Sequence, residues 1–251
     1  MAHVTLSRIS KSKLSQQVYE VLLRHIINKD FERGQKLDVD ELAQQLGISR
    51  TPVKEALSVL GTEGLIEVIP HIGTFVKDFS AKEIADTFDI RRALEVLAAE
   101  TLLDNVLSKD VAKMEAILKG IESSTKPGAL ETRVRKNYDF HKMLIELSGN
   151  RKLLRIYESL HVVVSVAQTS HLQDGWQVSA EIEDAEHRAI LEAIKNRDRN
   201  ALIRAITVHL ERAKSNLMDN MKAREAEVIR QPRTDRPSVR ARFERQSSKV
   251  T

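Results

Sequence analysis

Eight histidines and no cysteine set the chemistry open to this 251-residue chain. A metal would have to be bound through imidazole nitrogen and oxygen, and neither a disulfide nor a cysteine nucleophile is available. The histidines stand at 3, 25, 71, 141, 161, 171, 187 and 209. His141 follows Asn137 by one helical turn, so the two side chains share a face. Asp139 falls roughly 200° around the same helix and points away from them. Buried imidazoles that hold no ion would simply pair with polar groups in the core. Arg91 precedes Glu95 by four residues: the two form a surface ion pair, or the guanidinium grips a carboxylate in a cavity. Glu183 lies one turn before His187, where a metal-dependent hydrolase could keep its general base. Arg50, Thr51 and Lys54 cluster at the start of a short amphipathic segment, and are either a solvated face or a set of contacts to bases and phosphates.

These residues need elements to position them. Apolar residues at 14, 18, 21, 22 and 26 mark one face of a first helix. A break at NKDFERGQKL leads to a second helix near Asp38–Leu46, and Gly47-Ile48-Ser49 makes a tight turn into a third, from Arg50 to about Gly61. Pro52 sits in the first turn of that helix, where it is tolerated. Two β-like runs, 65–69 and 74–76, joined by Pro70-His71-Ile72-Gly73, read as a hairpin. Three helices and a hairpin make a winged helix-turn-helix, whose third helix fits the major groove. Ser80-Ala81-Lys82-Glu83 is a capping box. Six further helices are expected, at about 81–104, 109–124, 129–147, 151–170, 179–196 and 198–222. Their irregular lengths argue for an antiparallel bundle rather than a solenoid. The fold is therefore mainly α. The expected domains are a flexible 1–12, a winged head over 13–79, an all-α domain over 80–222 and a basic, disordered tail over 223–251.

Charge narrows the partners. Lys and Arg outnumber Asp and Glu by 40 to 36, a formal net charge of +4. Residues 1–80 carry ten basic and ten acidic side chains and are neutral, whereas residues 222–251 carry nine and four. Affinity for nucleic acid would thus rest on a few placed cations, with the tail adding at most salt-sensitive attraction to phosphate. No apolar run reaches the ~18 residues of a membrane span, and the N-terminus lacks a secretory signal. A cytoplasmic protein with no membrane partner is expected.

The run from Leu42 to Leu57, LAQQLGISRTPVKEAL, with Gly64-Leu65-Ile66 and Gly73-Thr74-Phe75-Val76, closely resembles the GntR family of bacterial transcription regulators. The remainder resembles that family's FCD effector domain, in its shorter six-helix subtype. This second likeness rests on Asp89-Ile90-Arg91-Arg92-Ala93-Leu94-Glu95, NYDFHKMLIELSGN (137–150), Glu186-His187-Arg188-Ala189-Ile190-Leu191 and Val208-His209-Leu210. The resemblance implies that Arg50, Thr51 and Lys54 contact operator DNA, and that His71 and Gly73 form a wing tip at the minor groove. Two positions depart from the pattern. Asp40 stands where some relatives carry a phosphate-binding base, and Ile72 stands where many wings have Arg.

In the effector domain, an Asp and three His hold a divalent metal in the family, which by position implies Asn137, His141, His187 and His209. Asn137 replaces the Asp and brings no charge. Three neutral imidazoles suit Zn²⁺ first and Ni²⁺ second. Arg91 matches an arginine that can face the effector, and His161 and His171 are candidates for the same cavity. The resemblance implies a homodimeric, non-enzymatic regulator that acts as a repressor on a palindromic operator. It would respond to a small carboxylate, an organic or sugar acid. The competing readings are a hydrolase fused to a DNA-binding head and a bundle that serves only dimerisation.

Overall fold

A computed structural model describes residues 12–27, 30–126, 129–171 and 177–230. Histidines 161 and 171, named above for the cavity, have side chains outside the described residues, as do segments 1–11 and 231–251. The chain divides into two compact units, the first running to Asp78 and taking in Ser159–Val166, the second holding the rest from Phe79.

The first unit contains α1 (Ser12–Ile27), β1 (Lys36–Leu37), α2 (Val39–Leu46), α3 (Arg50–Thr62), β2 (Ile66–Ile69) and β3 (Gly73–Val76). Val18, Leu22 and Ile26 of α1 are buried, as are Val53, Ala56, Leu57 and Leu60 of α3, and the two helices pack together. The helix-turn-helix is set by its caps. The Asp38 carboxylate accepts from the backbone of Asp40 and Glu41, satisfying free donors at the start of α2. Gly47, at φ 66°, ends α2 in the left-handed conformation that glycine adopts without penalty. β3 pairs antiparallel with β2, Ile66 opposite Val76, and with β1, Lys36 opposite Phe75. β1 lies in the segment expected to be a plain break. Two residues are too few to show an alternating pattern, and the strand exists only because β3 offers it a free edge.

The second unit is built from six helices: α4 (Ala81–Asn105), α5 (Ser108–Glu122), α6 (Leu130–Leu147), α7 (Arg151–His171, apart from its Ser159–Val166 stretch), α8 (Gln177–Lys195) and α9 (Arg199–Arg230). Local signals place their starts. Ser80 and Glu83 form the expected capping box, Asn150 caps α7, and Asp198 accepts from Ala201 at the start of α9. The buried core joins Leu102, Met114, Phe140, Leu144, Ile190 and Ile206 from five of these helices. Arg133 ties three of them together, donating to Glu183 and Asp184 of α8 and to the carbonyl of Ile121 in α5. The last helix runs eight residues beyond the expected end at 222. The extension, AREAEVIR, is built of good helix formers, and the first helix breaker is Pro232.

Candidate DNA-reading head and metal centre

In the head, α3 turns Pro52, Val53, Ala56, Leu57 and Leu60 inward and leaves Arg50, Thr51 and Lys54 exposed. The three predicted DNA-contacting residues of this helix therefore occupy one outward face at its N-terminal end. Asp40, in the first turn of α2, pairs with Arg50, Oδ1 to Nε at 2.6 Å, and both side chains are about two-thirds exposed. The acid that stands in place of a phosphate-binding base thus holds the leading cation of α3.

The wing tip is a tight turn closed by Ile72 N–H donating to the carbonyl of Ile69 at 3.1 Å. Pro70 and His71 occupy its centre. His71 has φ 62°, the positive value that a type II turn demands at this place. Gly73 has φ 146°, again a glycine conformation. His71 and Ile72 are exposed at the tip.

In the second unit three helices bring imidazoles together: His141 from α6, His187 from α8 and His209 from α9, all essentially inaccessible to solvent. Their Nε2 atoms converge, His141 to His209 at 3.1 Å and His141 to His187 at 3.2 Å. Two rings are backed by carboxylates. His141 Nδ1 meets Glu95 Oε2 at 2.7 Å, and His209 Nδ1 meets Glu186 Oε2 at 2.8 Å. Each of these glutamates is held in turn by an arginine, Glu95 by Arg91 and Glu186 by Arg212.

The tautomers follow from these contacts. An Nδ1–H donated to a carboxylate leaves a lone pair on Nε2, so neutral His141 and His209 aim two lone pairs at each other. A cation between them removes that repulsion. Metal–nitrogen bonds of ~2.0–2.1 Å with ligands roughly 90–110° apart separate the nitrogens by about 2.8–3.4 Å, which brackets the observed spacings. Carboxylate backing of a ligating histidine is the usual outer arrangement of metal sites. Asn137, one turn before His141, is buried, and its Oδ1 has no hydrogen-bond partner. The Nδ1 of His187 also lacks one, so the outer shell is complete for two of the three rings. The buried cluster is consistent with metal binding, and its donors, three imidazole nitrogens and a carboxamide oxygen, fit a divalent transition metal.

Burial and the neighbouring charges favour the neutral imidazoles of His141 and His187, the form a ligand needs. Burial drives His141 down from 6.5 to about 4, despite the opposing pull of Glu95. His187 lies well below its ordinary value, through burial and then the two neighbouring imidazoles. Burial would raise the Glu95 carboxyl, yet His141 and Arg91 together hold it at about 2. Because His141 binds protons less readily when folded, its contribution to stability is full above pH 6.5 and is lost as the pH falls toward 4. The urea midpoint of metal-free protein should therefore drop across that window. Glu95→Gln should weaken zinc binding by about 10–100-fold in a competition titration, because His141 loses the carboxylate that sets its tautomer.

Arg91 was expected either to face an effector or to make a surface pair with Glu95. It pairs with Glu95, Nε to Oε1 at 2.7 Å, but in the interior, at 3% exposure. Glu183 is bound by Arg133 and makes no hydrogen bond to a cluster histidine among the described residues. Asp139 is exposed, as its helical position requires. Sequence reasoning missed Glu95 and Glu186 as histidine partners. No spacing ties Glu95 to His141, 46 positions away, and Glu186 is adjacent to His187 yet serves His209.

A winged helix-turn-helix with an exposed cationic helix face, joined in one chain to an all-α unit with a buried histidine centre, defines a DNA-binding transcription regulator. Residues 14–76 match the bacterial regulatory proteins of the gntR family, and residues 86–212 match the FCD domain. The chain belongs to the GntR family and carries an FCD domain. It is 28% identical over 194 residues to the HTH-type transcriptional regulator YdhC of Bacillus subtilis (strain 168), covering 77% of this chain and 86% of that protein. It is 23% identical over 215 residues to the gluconate operon transcriptional repressor of Bacillus licheniformis, covering 84% and 88%. Among solved structures, E. coli McbR/YncC superposes with a TM-score of 0.74 at 21% identity, covering 84% of this chain and 100% of that one, a likeness of fold. The relatives from the two Bacillus species are transcription regulators, not enzymes.

Proposed function

We propose that the protein is a cytoplasmic, effector-responsive repressor. It binds a palindromic operator as a homodimer and senses a small organic or sugar acid at a metal held by Asn137, His141, His187 and His209. The observation that carries this reading is the convergence of three Nε2 atoms, two of them on carboxylate-backed rings. A sensor needs a buried, preformed donor set, whereas a bundle that served only dimerisation would have no use for one. The repressor of the gluconate operon favours repression and an acid as the signal.

The resident ion is Zn²⁺, with Ni²⁺ second, since imidazole suits both and the absence of thiolate disfavours neither. When bound, it supplies positive charge and an open position for a carboxylate. Arg91 acts through Glu95 by fixing the carboxylate that orients His141. In the head, Arg50, Thr51 and Lys54 enter the major groove, while His71 and Gly73 bring the wing to the minor groove. The acid binds the DNA-incompetent arrangement more tightly and shifts the population toward it.

The test is fluorescence anisotropy on duplexes selected from a random pool. Zinc-loaded protein should lose DNA affinity when members of an organic-acid panel are added, and chelation should abolish the response. If DNA affinity were indifferent to every acid with zinc present, the sensor reading would be wrong.

A further inference from the structure

The turn at the tip of the wing, Pro70-His71-Ile72-Gly73, holds no lysine or arginine. A cation reaches it from the neighbouring strand instead. Lys36 of β1 stands opposite Phe75 of β3, and its stem runs along β3 toward the tip. A methyl group built on Gly73 would stand 2.8 Å from Cε of Lys36 and 3.5 Å from Cζ of Phe75. A side chain at 73 would therefore displace the lysine, and the bare glycine leaves its stem a seat. Phe75 is buried and Lys36 is exposed, so the stem packs on the sheet while the ammonium stays in water.

That charge is uncommitted. Lys36 forms no hydrogen bond or ion pair among the described residues. Asp38, two residues on, has its Oδ1 taken by the backbone amides of Asp40 and Glu41. Charge is also polarised across the sheet. Lys36, Phe75 and Glu67 form one cross-strand row, which puts the cation on the β1 edge and an acid on the β2 edge.

Resting on the DNA-reading head proposed above, we infer that Lys36 is the phosphate-binding residue of the wing. Its ammonium pairs with a backbone phosphate bordering the minor groove and brings the wing in by its β1 edge. A lysine ordinarily gives up much rotamer freedom on binding, and a stem already packed on Gly73 and Phe75 gives up less. Such a contact positions the protein and carries no sequence information.

Fluorescence anisotropy on the full-length chain tests this, over a salt series, with one selected duplex and one of mixed sequence. Lys36→Met keeps the stem and removes the charge. Its affinity should fall by about tenfold near 0.1 M salt for each head on the DNA, equally on both duplexes. The salt dependence should become shallower by about one counterion per head, and Lys36→Arg should retain the original slope. A structural role would move affinity or melting temperature and leave the slope alone. An unchanged slope in Lys36→Met would therefore overturn the assignment, whatever its affinity. So would a loss confined to the selected duplex, the mark of a base contact. Arg50→Ala, run on the same duplexes, separates the two readings. If it weakens binding while Lys36→Met binds as the unaltered chain does, the DNA-reading head stands and the role of Lys36 falls. If the unaltered chain binds neither duplex, both fall.

Discussion

His187→Ala should purify with little zinc while binding selected DNA as tightly as the unaltered protein. His187 belongs to the second unit, and its loss takes one of three nitrogens from the cluster. Removing an outer partner of a metal ligand costs about 10–100-fold in affinity, and removing a ligand itself costs more. The expected readouts are a zinc content well below one ion per chain by elemental analysis, a smaller rise in melting temperature on adding zinc, and loss of the acid response. Phe140 packs edge-on against His187 with ring centroids 4.9 Å apart, so the alanine leaves a cavity beside it and some stability is lost as well. His187→Gln keeps more of that volume and separates the two effects. If either variant retained full zinc, the ion would be held elsewhere and the converging nitrogens would be only a core of buried polar groups.

The second large effect is expected at Arg50. Its side chain leads the exposed face of α3 and is preset by Asp40. An exposed ion pair of this kind is worth ~0–1 kcal/mol, whereas a good bidentate contact to guanine discriminates by ~1–3 kcal/mol, so DNA outcompetes Asp40 for the guanidinium. Arg50→Ala should weaken binding to a selected half-site by about 5–150-fold. It should also relax the preference at one base position when selection from a random pool is repeated. Asp40→Asn isolates the other partner. It removes a negative charge near the phosphates, so affinity for mixed-sequence DNA should rise and the ratio of specific to nonspecific binding should fall. A uniform loss for Arg50→Ala across all sequences, with a salt dependence shallower by about one counterion, would mean that Arg50 holds phosphate instead of reading a base.

Much of this protein is legible in the chain because much of it is local. Gly47 ends α2, Ser80 and Glu83 open α4, and Asn150 caps α7 through contacts a few residues long, and a 3.6-residue period exposes each buried face. The shared face of Asn137 and His141, and the outward face of Asp139, follow from helical geometry alone. Likewise, the order of residues from Leu42 to Leu57 carries the family.

Tertiary structure decided the rest. β1 forms because β3 presents an edge. Whether Arg91 and Glu95 lie in water or in the core depends on what packs over α4, and an i,i+4 spacing is the same in both cases. The pairing of Glu95 with His141 and of Glu186 with His209 comes from helix packing. Residue types alone named imidazole and oxygen as the only metal donors. Only the packing of α6, α8 and α9 could aim three Nε2 atoms at one point, because hydrogen bonds between distant residues leave no periodic trace in sequence.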